Sequence, residues 1–278
     1  MLKRVMLCFF AVFAAVCLLP ASRLIPVGKT GGRTLRIKGA NGIYETDTEE
    51  FVARGVNARA GDIKGLETAC ALAVALRSCA YYALERGCKH ADCEFCEDPG
   101  CCFPLAEGSG GRGAAAAKQT EGEVLIRQGR AAPALYTVCS GEGTRECAAL
   151  PFNTAVKRES ACALHRAELR FGAEELCAAF GGDPAGGACF ACGEDGYCEF
   201  AVIGGKVCGA EAVVKTLFLP SAAFSVANEG EEAVFSVCGE GQGYGLDICR
   251  ANAQESEGAD RLEILKTAFP LAEGVKKP

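Results

Sequence analysis

An α+β fold is expected from three features of this 278-residue sequence. Half of the residues are apolar and 23% are charged, a composition that can bury a core. Residues 66–84 are apolar nearly all round, as befits a helix in the middle of that core. Helical and strand-like runs come in blocks instead of alternating, which favours α+β over a doubly wound sheet.

The elements follow in chain order. Lys3 and Arg4 precede the uncharged residues 5–19, and Pro20-Ala21-Ser22 follows. That apolar run falls short of the ~20 residues that span a bilayer, so 1–21 read as a secretory signal. Membrane contact is expected only if the signal stays uncleaved. Residues 22–45 read as a leader with one short strand. Residues 47–60 read as a helix entered at Thr46-Asp47 and stopped at Gly61. The buried helix over 66–84 carries Arg77 mid-segment, which argues against a membrane span. Residues 86–112 are a loop with few apolar anchors, holding Cys88, Cys93, Cys96, Cys101 and Cys102. A short helix is expected over 114–119, and strands over 123–127 and 134–138. Helices over 157–170 and 173–180 precede a Gly-rich Cys loop at 181–198. Strands are expected over 199–207, 222–227 and 233–238. Helices are expected over 246–253 and 260–269, the last stopped by Pro270. One domain over 46–271 and a tail over 272–278 result.

Composition excludes several function classes. A net charge of −6 disfavours a nucleic-acid binder that relies on phosphate contacts. The 2 histidines, His90 and His165, lie far apart, which excludes an H-E-x-x-H protease and a three-histidine zinc site. His165 reads as surface or core filler. The 19 cysteines point to an oxidising compartment, to metal, or to both. Signal cleavage removes Cys8 and Cys17 and leaves an odd number, consistent with a free thiol, an intermolecular bridge or a metal site. Cys189-Phe-Ala-Cys192, with Cys198 and Cys208, lacks a matching second C-x2-C and reads as disulfides within the loop. Cys70 and Cys79 are nine apart on the core helix and point to different sides, so one is expected as a buried thiol.

Six segments carry a family resemblance. They are the helix from Gly65 to Ala80, the loop from His90 to Cys102 and the strand from Gln119 to Gly129. The turn from Tyr136 to Thr144, the glycine-rich stretch from Gly241 to Ala253 and the closing helix from Leu262 complete the set. In this order, over residues 46–270, they resemble the SpoIID/LytB family of sporulation and amidase-enhancer proteins. The resemblance implies a SpoIID-like fold with a buried central helix, short antiparallel strands and a Cys-rich loop. It implies an exported protein of the cell envelope whose partners are peptidoglycan glycan strands and a cell-wall amidase. The family's lytic-transglycosylase chemistry uses one glutamate as general acid and then base, leaving a 1,6-anhydro sugar. The family's metal loop is H-x5-C-x4-H-C. Here His90, Cys96, Cys101 and Cys102 form H-x5-C-x4-C-C, with Cys101 in place of the second histidine, and a structural zinc is expected. The alternative is that Cys101 or Cys102 bonds to Cys88, Cys93 or Cys139.

The chain departs from the family where chemistry is done. Arg59 falls at the catalytic glutamate's position, or Ala60 after a one-residue shift, and neither can donate and recover a proton. Cys70 and Leu72 replace the family's Lys and Gln, Tyr244 its His, and Arg250 its Gln, while Arg77 is kept. The expectation is therefore a protein that engages glycan in a groove without the standard acid. Groove candidates are Arg77, Tyr244, Thr144 and Glu67. For Arg77 the alternative is a buried ion pair, for instance with Glu121; for Tyr244 it is packing in a turn. Two other readings stand: an active enzyme with its acid relocated to Glu67, Asp62 or Glu50, and a disulfide-stabilised structural envelope protein.

Overall fold

A computed structural model describes residues 33–277, apart from 88–89, 99–100 and 158–164. The expected signal and the head of the leader lie outside the described residues. β1 (Thr34–Gly39) and β2 (Gly42–Asp47) form a hairpin whose alternation turns Leu35 and Ile37 into the core. The expected leader thus contributes two strands, not one. Asp47 accepts the Glu49 N–H at 2.8 Å and starts α1 (Thr48–Asn57), which buries Phe51, Val52 and Val56. α2 (Leu66–Arg86) is the expected central helix, buried on every side from Thr68 to Ala80. Cys70 and Cys79 are both buried thiols on it, and burial pushes Cys70 up to about 11. β3 (Phe95–Cys96) runs parallel to β1. α3 (Gly111–Gln119) crosses α1 so closely that a Cβ on Gly113 would sit 2.1 Å from the Ala53 carbonyl oxygen. Only glycine fits there. β4 (Val124–Arg127) and β5 (Arg130–Ala131) make a hairpin, β6 (Tyr136–Thr137) follows, and β7 (Gly143–Thr144) pairs with β8 (Val156–Lys157).

The next stretch builds a second apolar core. β9 (Arg166–Gly172) is a strand, although the sequence reading expects a helix over 157–170. The reason is alternation: Ala167, Leu169 and Phe171 turn inward while Arg166, Glu168 and Arg170 face solvent. After α4 (Ala173–Ala179) come β10 (Ala188–Cys192), β11 (Cys198–Ile203) and β12 (Lys206–Gly209), which form one antiparallel sheet. A third of the expected loop at 181–198 is therefore strand. The single strand expected over 199–207 is a hairpin broken at Gly204-Gly205, whose φ values of 56° and 78° favour glycine. α5 (Ala210–Leu217) has no counterpart in the sequence reading. β13 (Phe224–Glu229) and β14 (Glu232–Cys238) pair, and β14 pairs onward with β9. Phe190, Phe224 and Phe235 meet at the centre, with ring centroids 5.2–5.8 Å apart.

The chain then returns to the first core. β15 (Leu246–Asp247) lies parallel to β6 and leads into α6 (Ile248–Ser256), where the sequence reading starts the helix two residues early. α7 (Arg261–Ala268) opens with a reciprocal Asp260–Glu263 cap. β16 (Gly274–Lys276) pairs with β4, so the expected tail is the third strand of that sheet. Glu255 on α6 accepts the Glu67 and Thr68 N–H groups at 2.9 and 3.0 Å, capping α2 from a distance. Burial opposes the charge on Glu255, but those N–H groups hold its carboxyl below the usual range. The whole is a mixed fold of helices and small, largely antiparallel sheets, as α+β implies. Among the described residues, no helix is long and apolar enough to cross a membrane.

Candidate metal centre and adjoining cavity

The pairing of β3 with β1 sets Cys96 opposite Lys38 and so fixes the first sulfur. A tight turn sets the next two, because the N–H groups of Cys101 and Cys102 both reach the Asp98 carbonyl, at 2.9 and 2.8 Å. His90 Nε2 lies 3.2 Å from Cys102 Sγ and 3.7 Å from Cys101 Sγ. The donor atoms of His90, Cys96, Cys101 and Cys102 all lie within 4.8 Å of one another. Tetrahedral bonds of about 2.1 Å to nitrogen and 2.3 Å to sulfur put neighbouring donors roughly 3.6–3.8 Å apart. The four side chains therefore fit one metal ion. Burial pushes the Cys102 thiol up to about 12, so an incoming ion must displace a proton held tightly there.

Cys101 and Cys102 also line a cavity of about 760 Å³. Its other walls include Arg59, Tyr82, Phe103, Tyr136 and Tyr244. Arg59 leaves the turn after α1; its Nε donates to the Tyr136 hydroxyl at 3.3 Å, and Nη1 lies 3.8 Å from Asp62. Phe103 stacks on Tyr136 with centroids 5.3 Å apart. Arg145 is sandwiched between rings, 4.8 Å from the Tyr197 centroid and 4.4 Å from that of Tyr244. Two carboxylates reach the cavity wall. Glu94 is gripped by Arg36 through both oxygens, at 2.6 Å from the backbone N–H and 2.9 Å from Nη2. Burial works against its charge, yet Arg36 holds the Glu94 carboxyl below the usual range. Glu240 places Oε2 3.1 Å from His165 Nδ1. His165 thus partners an acid beside β9, not on the helix that the sequence reading places around it.

Three of the four groove candidates are engaged elsewhere. Arg77 is wholly buried. Its Nε and Nη2 donate to the two Glu49 oxygens at 2.7 and 2.6 Å. Nη1 reaches Thr120 Oγ1 at 3.2 Å and the Glu123 carbonyl at 3.1 Å, and Nη2 reaches the Ala117 carbonyl at 3.2 Å. All five N–H donors are satisfied inside the core, so Arg77 faces no groove, and its acid is Glu49, not Glu121. Thr144 is buried; its Oγ1 accepts the Val156 N–H at 2.9 Å. Glu67 accepts the Arg261 N–H at 2.8 Å and tethers α7. Tyr244 alone of the four lines the cavity. Of the relocated acids considered, Asp62 pairs with Arg59 and Glu50 borders a separate shallow depression beside Lys118 and Glu121.

A second group of donors went unremarked in the sequence. Cys139, Asp247 and Cys249 also bring donor atoms within 4.8 Å of one another. The sequence separates them by about a hundred residues, and the β6–β15 pairing brings them together. Asp247 is already committed: its oxygens take the Ser140 hydroxyl, the Ser140 N–H at 3.1 Å and the Arg250 N–H at 2.9 Å. No protein-family model and no curated protein matches the chain.

Proposed function

We propose that this chain is an exported SpoIID/LytB-like domain that engages peptidoglycan glycan strands and lacks the family's catalytic glutamate at its usual place. The observation that carries this reading is the 760 Å³ cavity, in which Arg59 sits among Tyr82, Tyr136 and Tyr244. Sugars offer apolar ring faces and hydroxyl edges; aromatic walls with one fixed cation suit both. The net charge of −6 gives no general attraction to anionic wall polymers, so recognition falls to these contacts. His90, Cys96, Cys101 and Cys102 hold zinc, which staples a loop with little core of its own beside the cavity. A cell-wall amidase remains the expected protein partner.

One observation favours the active alternative. Glu240 is the only carboxylate on the cavity wall, among the described residues, that no arginine grips. It is a better-placed acid than Glu50, Asp62 or Glu67. Two readouts test the proposal. The purified protein is mixed with glycan strands stripped of their peptides and sedimented, and the strands are searched for 1,6-anhydro ends by mass spectrometry. Co-sedimentation that falls at least tenfold in Tyr136→Ala and Arg59→Ala, without anhydro ends, is expected. Absence of co-sedimentation refutes glycan engagement, and anhydro ends that vanish in Glu240→Gln establish the active alternative.

A further inference from the structure

Four cysteines lie on the three strands of the second core's hairpin sheet, and their register separates them. Past an irregularity between Ala191 and Cys192, the β10–β11 pairing sets Cys192 opposite Cys198. The Cys198 N–H turns away from β10 and donates to the Ala222 carbonyl at 2.8 Å, while Gly193 N–H donates to the Tyr197 carbonyl at 2.9 Å. Cys192 and Cys198 thus occupy a non-hydrogen-bonded site, where facing Cα atoms come to about 4.5 Å. That lies inside the roughly 4.4–6.8 Å that a disulfide spans. The two side chains are within hydrogen-bonding reach of each other. Cys189 and Cys208 cannot compete as a pair. Cys189 faces Val202 and Cys208 faces Ala201, so all of β11 separates them. Two strand spacings are about 9.5 Å, too far for a bridge.

We infer that Cys192 and Cys198 form a cross-strand disulfide that closes the turn over residues 193–197. The reaction removes two electrons and two protons from the thiols, and an oxidant of the disulfide class takes them up and becomes two thiols. The cross-link lies next to a buried side chain that reaches the turn over residues 140–143. Tyr197, next to Cys198, is 2% exposed, and its hydroxyl lies 2.9 Å from the Ser140 carbonyl and 3.1 Å from that of Gly143. A Cβ on Gly243 would sit 2.3 Å from that hydroxyl, so the glycine-rich stretch is moulded around it. Arg145 then links the Tyr197 ring to Tyr244.

The test uses the full chain, equilibrated with a mixture of oxidised and reduced glutathione, alkylated, and digested without reductant. A peptide pair joined through Cys192 and Cys198 is expected, together with an upward shift of the unfolding midpoint by about 5 °C over the reduced chain. Cys192→Ser should abolish both without sending Cys198 to another partner. Alkylation of both cysteines after oxidation overturns the inference. So does a bond from Cys192 to Cys189 or Cys238, or a disulfide between two chains.

Discussion

Replacing Glu49 with Gln removes the one charge, among the described residues, that faces Arg77 at hydrogen-bonding distance in the core. The side chain keeps its shape and one acceptor oxygen, so the charge is lost together with one of the two hydrogen bonds that Arg77 makes to it. Arg77 is wholly buried, and two of its five N–H donors point at Glu49. Breaking a buried pair on one side costs about 3–5 kcal/mol, because the remaining charge loses its compensation. The three neutral acceptors stay, and the Glu49 side chain is 26% exposed, so the low end, about 3 kcal/mol, applies. For a domain of this size that lowers the melting temperature by about 6–12 °C. Thermal unfolding followed by circular dichroism reads it directly, with Glu121→Gln as the control that leaves Arg77 untouched. If Glu49→Gln melts with the parent chain, or if the control falls equally, the assignment of the ion pair is wrong.

Two further outcomes are expected. Elemental analysis should find one zinc per chain, lost in Cys101→Ser and in His90→Ala. Its affinity should fall as pH falls, since protons compete for the three thiolates; a chain that retains zinc in both variants refutes the site. The second outcome concerns Glu255, whose folded-state carboxyl lies below its ordinary value of 4.5. A lowered value means stability that is present above 4.5 and lost as pH drops through the folded-state value. Glu255→Gln should therefore be less stable than the parent at neutral pH and converge with it in acid. A stability gap that persists unchanged into acid contradicts the capping role.

The central helix was legible because residues 66–84 carry a strong local signal that tertiary context had no reason to override. The metal quartet was legible through its spacing read beside the loop of the family it resembles: the donors of His90, Cys96, Cys101 and Cys102 converge to within 4.8 Å. What failed was the period. Residues 166–171 read R-A-E-L-R-F, which serves a helix face or an alternating strand, and only β14 alongside decides for the strand. Cysteine and glycine concealed β10 and the β11–β12 turn, since neither residue type advertises a strand. Glu49 was unreadable as Arg77's partner because it sits on another helix, 28 positions earlier. For the same reason Glu240 drew no attention: nothing local distinguishes a turn glutamate from one that borders a cavity.

The clasp on α2 bears on how fast this chain can fold. Lys64, Thr68 and Glu67 are tied to Asn252, Glu255 and Arg261, contacts that span 188, 187 and 194 positions. None can form before nearly the whole described chain has been brought round. The entropy of closing so long a loop rises only slowly with length, by about 0.6 kcal/mol per doubling, but contacts of this kind slow the search. Until they close, the first turn of α2 keeps bare N–H groups and its apolar surface has no cover. The interval between collapse and closure is when this chain is most open to self-association, and residues 66–80 are the segment at stake.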